Sequence, residues 1–314
     1  MYNFCSKSNN NYNLYLVLSL LLTVLISCSD KQGEEEVVAK EQPNVEAEEE
    51  GTVQEDATAN YSLPTIDLNH WKVTLPIGNN GKPIEVEPPE ILDYATNETL
   101  LPYMYNDSTD GSLVFYTFPE ASTANSTYSR TELREQMVPG SNSINWTFEQ
   151  GGELSGTLSV PEVSLDQDGN PYRIIVMQIH GRLTIEQRDL IGEDDNNAPP
   201  VLKIYWAKNK VRVHTKMLKD TTLSDTEILY TTAWKDSVRE FSEVVGTAKF
   251  NLTVKASKNK LEVSLNNAET FVYEDVHMRR WGIFENYFKA GNYFVSKVEG
   301  TNATVKYYQL KIDH

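Results

Sequence analysis

Three short segments, far apart in the chain, carry side chains that bind anions and move protons. Ser129–Glu135 (SRTELRE) places Arg130, Glu132 and Arg134 at alternate positions, and Ile174–His180 (IIVMQIH) places Gln178 and His180 two apart. Tyr287–Tyr293 (YFKAGNY) repeats the pattern with Tyr287, Lys289 and Tyr293. A guanidinium fork and an amide N–H hold a carboxylate, while an imidazole and a phenol give and take protons.

Alternate side chains of an extended chain share a face. Each segment therefore predicts one polar face. Ile175, Met177 and Ile179 are expected opposite Gln178 and His180; Phe288, Ala290, Asn292 and Phe294 are expected opposite Tyr287. Burying so many polar heads in an apolar core is costly unless all are paired. A single ligand groove accounts for them together if the three strands lie on one sheet. Taken singly, each has a plainer reading: Arg-Glu-Arg as a surface ion-pair row, His180 as a structural histidine.

The elements that must position these residues are strands. From about residue 65, short runs rich in Val, Ile, Tyr, Phe and Thr alternate with turn residues. Strands are expected at 70–75, 112–118, 127–137, 153–160, 172–183, 201–206, 210–217, 248–256, 260–265, 281–284, 287–296 and 303–312. Lys208-Asn209, Lys258-Asn259 and Asn266-Asn267 read as tight turns. Only 88–94 and 234–241 suggest short helices. Many short strands in about 250 residues predict an all-β sandwich or jelly roll.

Upstream the texture differs. Residues 14–26 form an apolar run, too short to span a bilayer comfortably and suited to a signal-peptide core. It ends in Leu25-Ile26-Ser27-Cys28, which resembles a bacterial lipobox, with cleavage before Cys28 and lipidation of that residue. Segment 1–27 is thus expected to be a lipoprotein signal peptide and 28–62 an acidic tether, leaving 63–314 as the globular domain. Between Asp30 and Asp56, eleven acidic residues face only Lys31 and Lys40; self-repulsion extends such a chain. The expected setting is an exported bacterial lipoprotein of the outer membrane, with the cell surface as an alternative because the acidic stretch resembles surface-export signals of some lipoproteins.

The formal net charge is −17, which argues against a nucleic-acid partner. An anionic ligand must then meet a local cationic patch. The two cysteines, Cys5 and Cys28, both precede the globular part, so no disulfide or thiolate metal site is expected there. Asp166-Gln167-Asp168-Gly169-Asn170 faintly resembles a calcium loop but lacks the distal glutamate, and reads as a hairpin turn. No metal or cofactor is expected. A monomer is the default.

Arg130-Thr131-Glu132-Leu133-Arg134-Glu135, Gln178-Ile179-His180 and Tyr287-Phe288-Lys289-Ala290-Gly291-Asn292-Tyr293 resemble, in order and spacing, the three signature blocks of the alginate lyases of polysaccharide lyase family 7. Trp71-Lys72-Val73-Thr74-Leu75-Pro76 is similar to that family's first strand. The resemblance runs over roughly 65–314. Phe294-Val295-Ser296 departs from it, where the family often has a glutamine. The resemblance implies a jelly roll with an open groove, and eliminative cleavage of β-1,4-linked mannuronate or guluronate. In that family an isoleucine within the Gln-Ile-His block goes with activity on guluronate-containing stretches, so the resemblance leans toward that substrate.

Elimination removes the C5 proton of a uronate and expels the 4-O-linked sugar. The adjacent carboxylate must be neutralised, and the charge that develops must be held by fixed donors. The resemblance implies Arg130, Gln178, His180 and Tyr293 as catalytic groups. Arg130 and Gln178 suit the carboxylate. Neutral His180 suits either donation at that carboxylate or abstraction of the C5 proton, the latter for guluronate. Tyr293 suits the leaving oxygen, and for mannuronate both steps, with Lys289 and Arg134 as the cations expected to favour its phenolate. Arg134, Lys289 and Tyr287 are expected to bind substrate; Glu132 is expected to orient the arginines, and Lys289 could instead pair with Glu132.

Three rivals remain at this point. A glycoside hydrolase on a similar fold needs two carboxylates at a defined separation, and no Glu-x-Asp-x-x-Glu strand is present. A non-catalytic sugar-binding module would not need both His180 and Tyr293. A lyase of the same family acting on another polyuronate differs only in substrate. Two further features await placement: the polar loop 186–200, which follows the Gln-Ile-His strand and suits a lid, and the Arg212–His214–Lys216 face, which reads as an exposed strand face or an added subsite.

Overall fold

The computed structural model describes residues 63–79 and 82–314. The leader, the tether and Cys28 lie outside the described residues. Among those described, strands dominate. They begin with β1 (Trp71–Asn79), β2 (Lys82–Val86), β3 (Met104–Asn106), β4 (Leu113–Thr117), β5 (Arg130–Glu135) and β6 (Trp146–Thr147). β7 (Gly152–Val163), β8 (Arg173–Arg182), β9 (Asn197–Ala207), β10 (Lys210–Leu218) and β11 (Trp234–Val244) follow. The chain ends with β12 (Phe250–Ser257), β13 (Lys260–Leu265), β14 (Glu269–Tyr273), β15 (Glu285–Val295) and β16 (Ala303–Asp313). Two short helices interrupt them, α1 (Ile185–Ile191) and α2 (Val276–Trp281).

The strands form two open antiparallel sheets, the architecture of a jelly roll. One runs β11-β10-β9-β8-β15-β5-β1-β2, with β6 beside β15; the other runs β14-β13-β12-β7-β16-β4-β3. β12 shows how sequence makes such a sheet: Phe250, Leu252, Val254 and Ala256 are buried, and the residues between them are not. The apolar faces of both sheets meet in one core, where Phe115 and Tyr307 lie edge-to-face at 5.5 Å. The hairpin turns are set by residues that tolerate left-handed backbone. Lys208 and Asn209 (φ 51° and 67°) join β9 to β10, and Asn266 and Asn267 (φ 51° and 55°) join β13 to β14.

Two strands break the one-face rule. β5 is buried along its whole length, and β15 is buried on both faces from Phe288 to Asn292. Their outer side chains are polar, so something other than apolar packing covers them.

Three expectations fail. Segment 234–241 is not helical but part of the edge strand β11. Trp234, Val238 and Phe241 have helical spacing, yet the antiparallel ladder to β10 wins, leaving Val238 exposed. Segment 281–284 is not a strand: Trp281 closes α2, whose N-cap Asp275 accepts from the N–H groups of His277 and Met278. The loop proposed at 186–200 is largely structured. α1 opens with a capping box between Thr184 and Gln187, and β9 has already begun at Asn197.

Candidate active site

The three polar segments are the adjacent strands β5, β15 and β8, in the order β5–β15–β8. Register places Lys289 between Arg134 and Gln178, and Lys203 of β9 beyond Gln178. One step along, Tyr287 lies opposite His180, their rings nearly parallel (12°) at 5.2 Å. In the other direction Tyr293 lies between Arg130 and Ile175. All eight expected residues thus share the outer face of one sheet.

Ile175 is the exception to alternation. It was expected in the core with Met177 and Ile179, but a register shift between Ile175 and Met177 turns it to the outer face, opposite Tyr293 and Tyr205. Gly291 and Asn292 of β15 stand against the single Val176 at this bulge. Gly291 holds φ +136°, and a Cβ there would come within 2.7 Å of the Thr131 carbonyl oxygen. Only glycine fits both constraints. Asn292 points inward and donates to the carbonyls of Phe115 and Ala303 on the facing sheet.

Glu132 is the hub of the site. It is fully buried. One oxygen accepts from the Gln178 amide at 2.5 Å; the other accepts from Arg130 at 3.1 Å and is paired with Lys289. Burial alone would raise its proton affinity; the charges of Lys289 and Arg130 and the bonds it accepts outweigh this and hold the carboxyl below its usual range. Lys289 answers to the same forces. Burial, then Arg130, push its ammonium down to about 8 against the pull of Glu132. Glu132 does not reach Arg134, contrary to the expectation that it orients both arginines. Arg134 donates instead to the Glu135 and Asn142 carbonyls and to the Asn145 side chain, and it stacks on Tyr287 at 4.1 Å.

His180 is half-buried, and its Nδ1 lies 2.9 Å from the Gly181 carbonyl. A carbonyl only accepts, so Nδ1 carries the hydrogen and Nε2 presents a lone pair. Burial, then Lys289, push the imidazole down to about 3, with Arg130 and Lys203 adding to the effect and the Gly181 bond opposing it. The ring is therefore neutral at ordinary pH.

The cation in contact with Tyr293 is Arg130, whose guanidinium lies over the ring at 3.9 Å. Lys289 is engaged by Glu132, and Arg134 by Tyr287. The Tyr293 hydroxyl lies 2.9 Å from Ser126 Oγ, in the segment preceding β5. The neighbouring Asn125 donates to Asp195 at 2.8 Å, which ties that segment to the turn after α1.

Sequence reasoning missed Lys203, Tyr205 and Ser126. Lys203 and Tyr205 alternate with Leu202, Ile204 and Trp206, so the rule applied to the other strands would have found them. Ser126 lies in a loop, where spacing carries no face information. The Arg212–His214–Lys216 face is occupied by β11 carboxylates: Arg212 meets Glu240 and Lys216 meets Asp236, each at 2.5 Å. The Asp166 carboxylate accepts the backbone N–H groups of Asp168 and Asn170 in its turn.

A jelly roll with a row of cations, an amide, an imidazole and a phenol on one sheet defines a protein that handles an acidic polysaccharide. The sequence profile of the alginate lyase family matches residues 66–314, and the chain belongs to that family; it is a polysaccharide lyase. Alginate lyase A1-II′, a member of polysaccharide lyase family 7, is similar at 28% identity and TM-score 0.61, covering 79% of this chain and 95% of that one. A double variant of A1-II′ in complex with a GGMG substrate is similar at 27% identity and TM-score 0.62, covering 80% and 94%. An alginate lyase from Pseudomonas aeruginosa shares the fold at 19% identity and TM-score 0.58, covering 79% and 100%. No curated protein sequence matches the chain.

Proposed function

We propose that this lyase cleaves β-1,4-linked alginate by β-elimination, with guluronate-containing stretches preferred, and releases unsaturated oligosaccharides. The observation that carries the reading is the pairing of a neutral imidazole with Nε2 free and a phenol, both beside one fixed cluster of donors.

The uronate carboxylate enters where Arg130, Gln178 and Lys203 converge. Gln178 gives one amide hydrogen to Glu132 and keeps a second for substrate. Because Glu132 fixes Arg130 and Gln178 in advance, little reorganisation is needed as charge develops. An arriving carboxylate also offsets the positive field that depresses His180, so the imidazole becomes a better base when substrate is bound. His180 Nε2 then takes the C5 proton of guluronate, and Tyr293 gives its proton to the departing O4. For mannuronate, whose C5 proton lies on the other side of the ring, Tyr293 serves both steps. Arg134, stacked on Tyr287, binds a neighbouring carboxylate, and Lys289 acts chiefly through its pair with Glu132.

The proposal extends to the setting. A monomeric enzyme, tethered through lipidated Cys28 and the acidic segment after it, would work at the outer membrane on polymer arriving from outside. Radiolabelled fatty-acid incorporation that is lost in Cys28→Ser tests the anchor.

Elimination leaves a conjugated C4–C5 double bond that absorbs in the ultraviolet; hydrolysis does not. Incubation with alginates enriched separately in each uronate should raise absorbance, fastest with guluronate-containing polymer. Faster turnover of mannuronate polymer would overturn the preference. New reducing ends without absorbance would overturn the elimination itself.

A further inference from the structure

Ser126 Oγ has three partners. It receives Arg130 Nη2, lies 3.1 Å from the Tyr128 carbonyl, and lies 2.9 Å from the Tyr293 hydroxyl. A hydroxyl has one hydrogen and two lone pairs. The guanidinium only donates and the carbonyl only accepts. With all three bonds made, Ser126 gives its hydrogen to Tyr128, and the phenol must give its own to Ser126. Once the phenol's proton has left, the same serine can turn its hydrogen from the Tyr128 carbonyl to the phenolate. Arg130 stays bonded through both states and polarises the serine.

We infer that Ser126 is a positioning residue for Tyr293. It receives the phenol's hydrogen while the phenol is intact and donates to the phenolate when it is not. The inference rests on the proposed role of Tyr293. The proton balance is simple: the phenol proton goes to the departing O4, or the phenolate takes the C5 proton, and Ser126 only redirects its own hydrogen.

The other groups around Tyr293 do not supply this bond. Arg130 of β5 lies over the ring face. Across on β8 is Ile175, which cannot donate. Tyr205 of β9 is itself pushed up to about 12, by burial first, with Tyr293 among the charges that contribute. Tyr128 lies 6.3 Å away ring to ring, with Lys297 over its ring and Arg173 over Tyr205. Lys289, on the same strand as Tyr293, is held by Glu132. Among the described residues, Ser126 is thus the hydroxyl donor within bonding distance of the phenolic oxygen.

The test compares kcat and KM across pH for the wild type, Ser126→Ala, Ser126→Thr, Tyr293→Phe and the double variant Ser126→Ala/Tyr293→Phe, using alginate and ultraviolet detection. Losing a bond to a charged group should lower the kcat of Ser126→Ala roughly ten- to a hundredfold, with KM little changed. Whether Tyr293 acts as base or acid, the limb of the kcat profile that it sets should move upward by about one pH unit. Ser126→Thr keeps a hydroxyl and should recover most of both effects. In the Tyr293→Phe background, Ser126→Ala should cost nothing further. Wild-type kcat with an unmoved limb in Ser126→Ala overturns the inference, as does a loss of kcat that threonine does not repair. Full turnover by Tyr293→Phe would instead remove the role of Tyr293 on which the inference rests.

Discussion

Tyr307, in the core between the sheets, donates its hydroxyl to the carbonyl of Val176 at 2.6 Å, at the bulge that turns Ile175 outward. The same oxygen lies 3.3 Å from the Gly291 N–H, at the matching irregularity of β15. A core phenol thus satisfies backbone groups that the ladder leaves free, on the two strands that carry His180 and Tyr293. Tyr307→Phe should destabilise the protein by about 2 kcal/mol or more, because buried groups lose their partner. It should also lower kcat more than it raises KM, since the positions of reacting groups shift while the cationic row remains. Chemical denaturation and steady-state kinetics measure the two effects separately. Unchanged stability would show that the bulge does not depend on this bond.

Gly291 gives a second prediction. Its φ of +136° and the 2.7 Å approach to the Thr131 oxygen leave no space for a side chain. Gly291→Ala should cost about 2 kcal/mol or more in stability through strain and displaced backbone. Because Gly291 pairs with Glu132, the displacement falls on the hub of the site. Activity should therefore drop further than the folded fraction, as circular dichroism and turnover measured on the same sample will show.

His314 was not singled out from sequence, yet it meets a fully buried carboxylate. Its Nε2 lies 2.5 Å from Glu135, which also accepts from Trp146 Nε1 at 3.0 Å and from the Phe288 N–H at 2.7 Å. Burial alone would lower the proton affinity of the imidazole, but its bond to Glu135 and the charge of Glu135 raise it overall. A raised folded value means that the contribution is fully present below the ordinary histidine value of about 6.5 and is lost as pH rises through the folded value. Thermal stability should fall as pH rises above about 6.5. In His314→Gln this slope should flatten. An equal slope in both proteins would place the pH dependence elsewhere.

Much of this site was legible because a strand assigns faces by parity. The outer faces of β5 and β15 followed directly from Arg130-x-Glu132-x-Arg134 and Tyr287-x-Lys289. Parity failed at Ile175 because a bulge is a tertiary event: it depends on Tyr307 and on Gly291, both more than a hundred residues away in sequence. Charge partners were legible in part. Glu132 was expected beside Arg130, and its pair with Lys289 was one of two readings of that lysine; nothing in the spacing says that Gln178 joins them, or that Arg134 turns to Tyr287 instead. Ile179 teaches the reverse lesson. It is fully buried in the core, so any influence on sugar preference must pass through the positions of Gln178 and His180 on either side of it. β11 misled because helical spacing of three apolar residues is weak against a ladder of paired backbone groups.

Glu132 gives the last prediction, and it separates a structural hub from a sugar ligand. Removing this carboxylate leaves Arg130 and Lys289 as buried cations without their counter-charge. Breaking such a buried network by removing one partner typically costs about 3–5 kcal/mol. Glu132→Ala should approach that loss. Glu132→Gln should lose less, since one acceptor remains, but its amide nitrogen must then face a cation, or face a Gln178 whose amide has turned over to accept and no longer holds its wild-type orientation. A depressed folded value also fixes the pH behaviour. The stabilisation is full above the ordinary glutamate value of about 4.3 and fades as pH falls through the folded value. Acid unfolding of the wild type should therefore be steeper below about pH 4 than that of Glu132→Gln. In turnover, both variants should lose about a hundredfold or more in kcat, because Arg130 and Gln178 are no longer held where charge develops. A raised KM with normal kcat and normal stability in Glu132→Gln would mean that the carboxylate meets the sugar directly and does not order the groups around it.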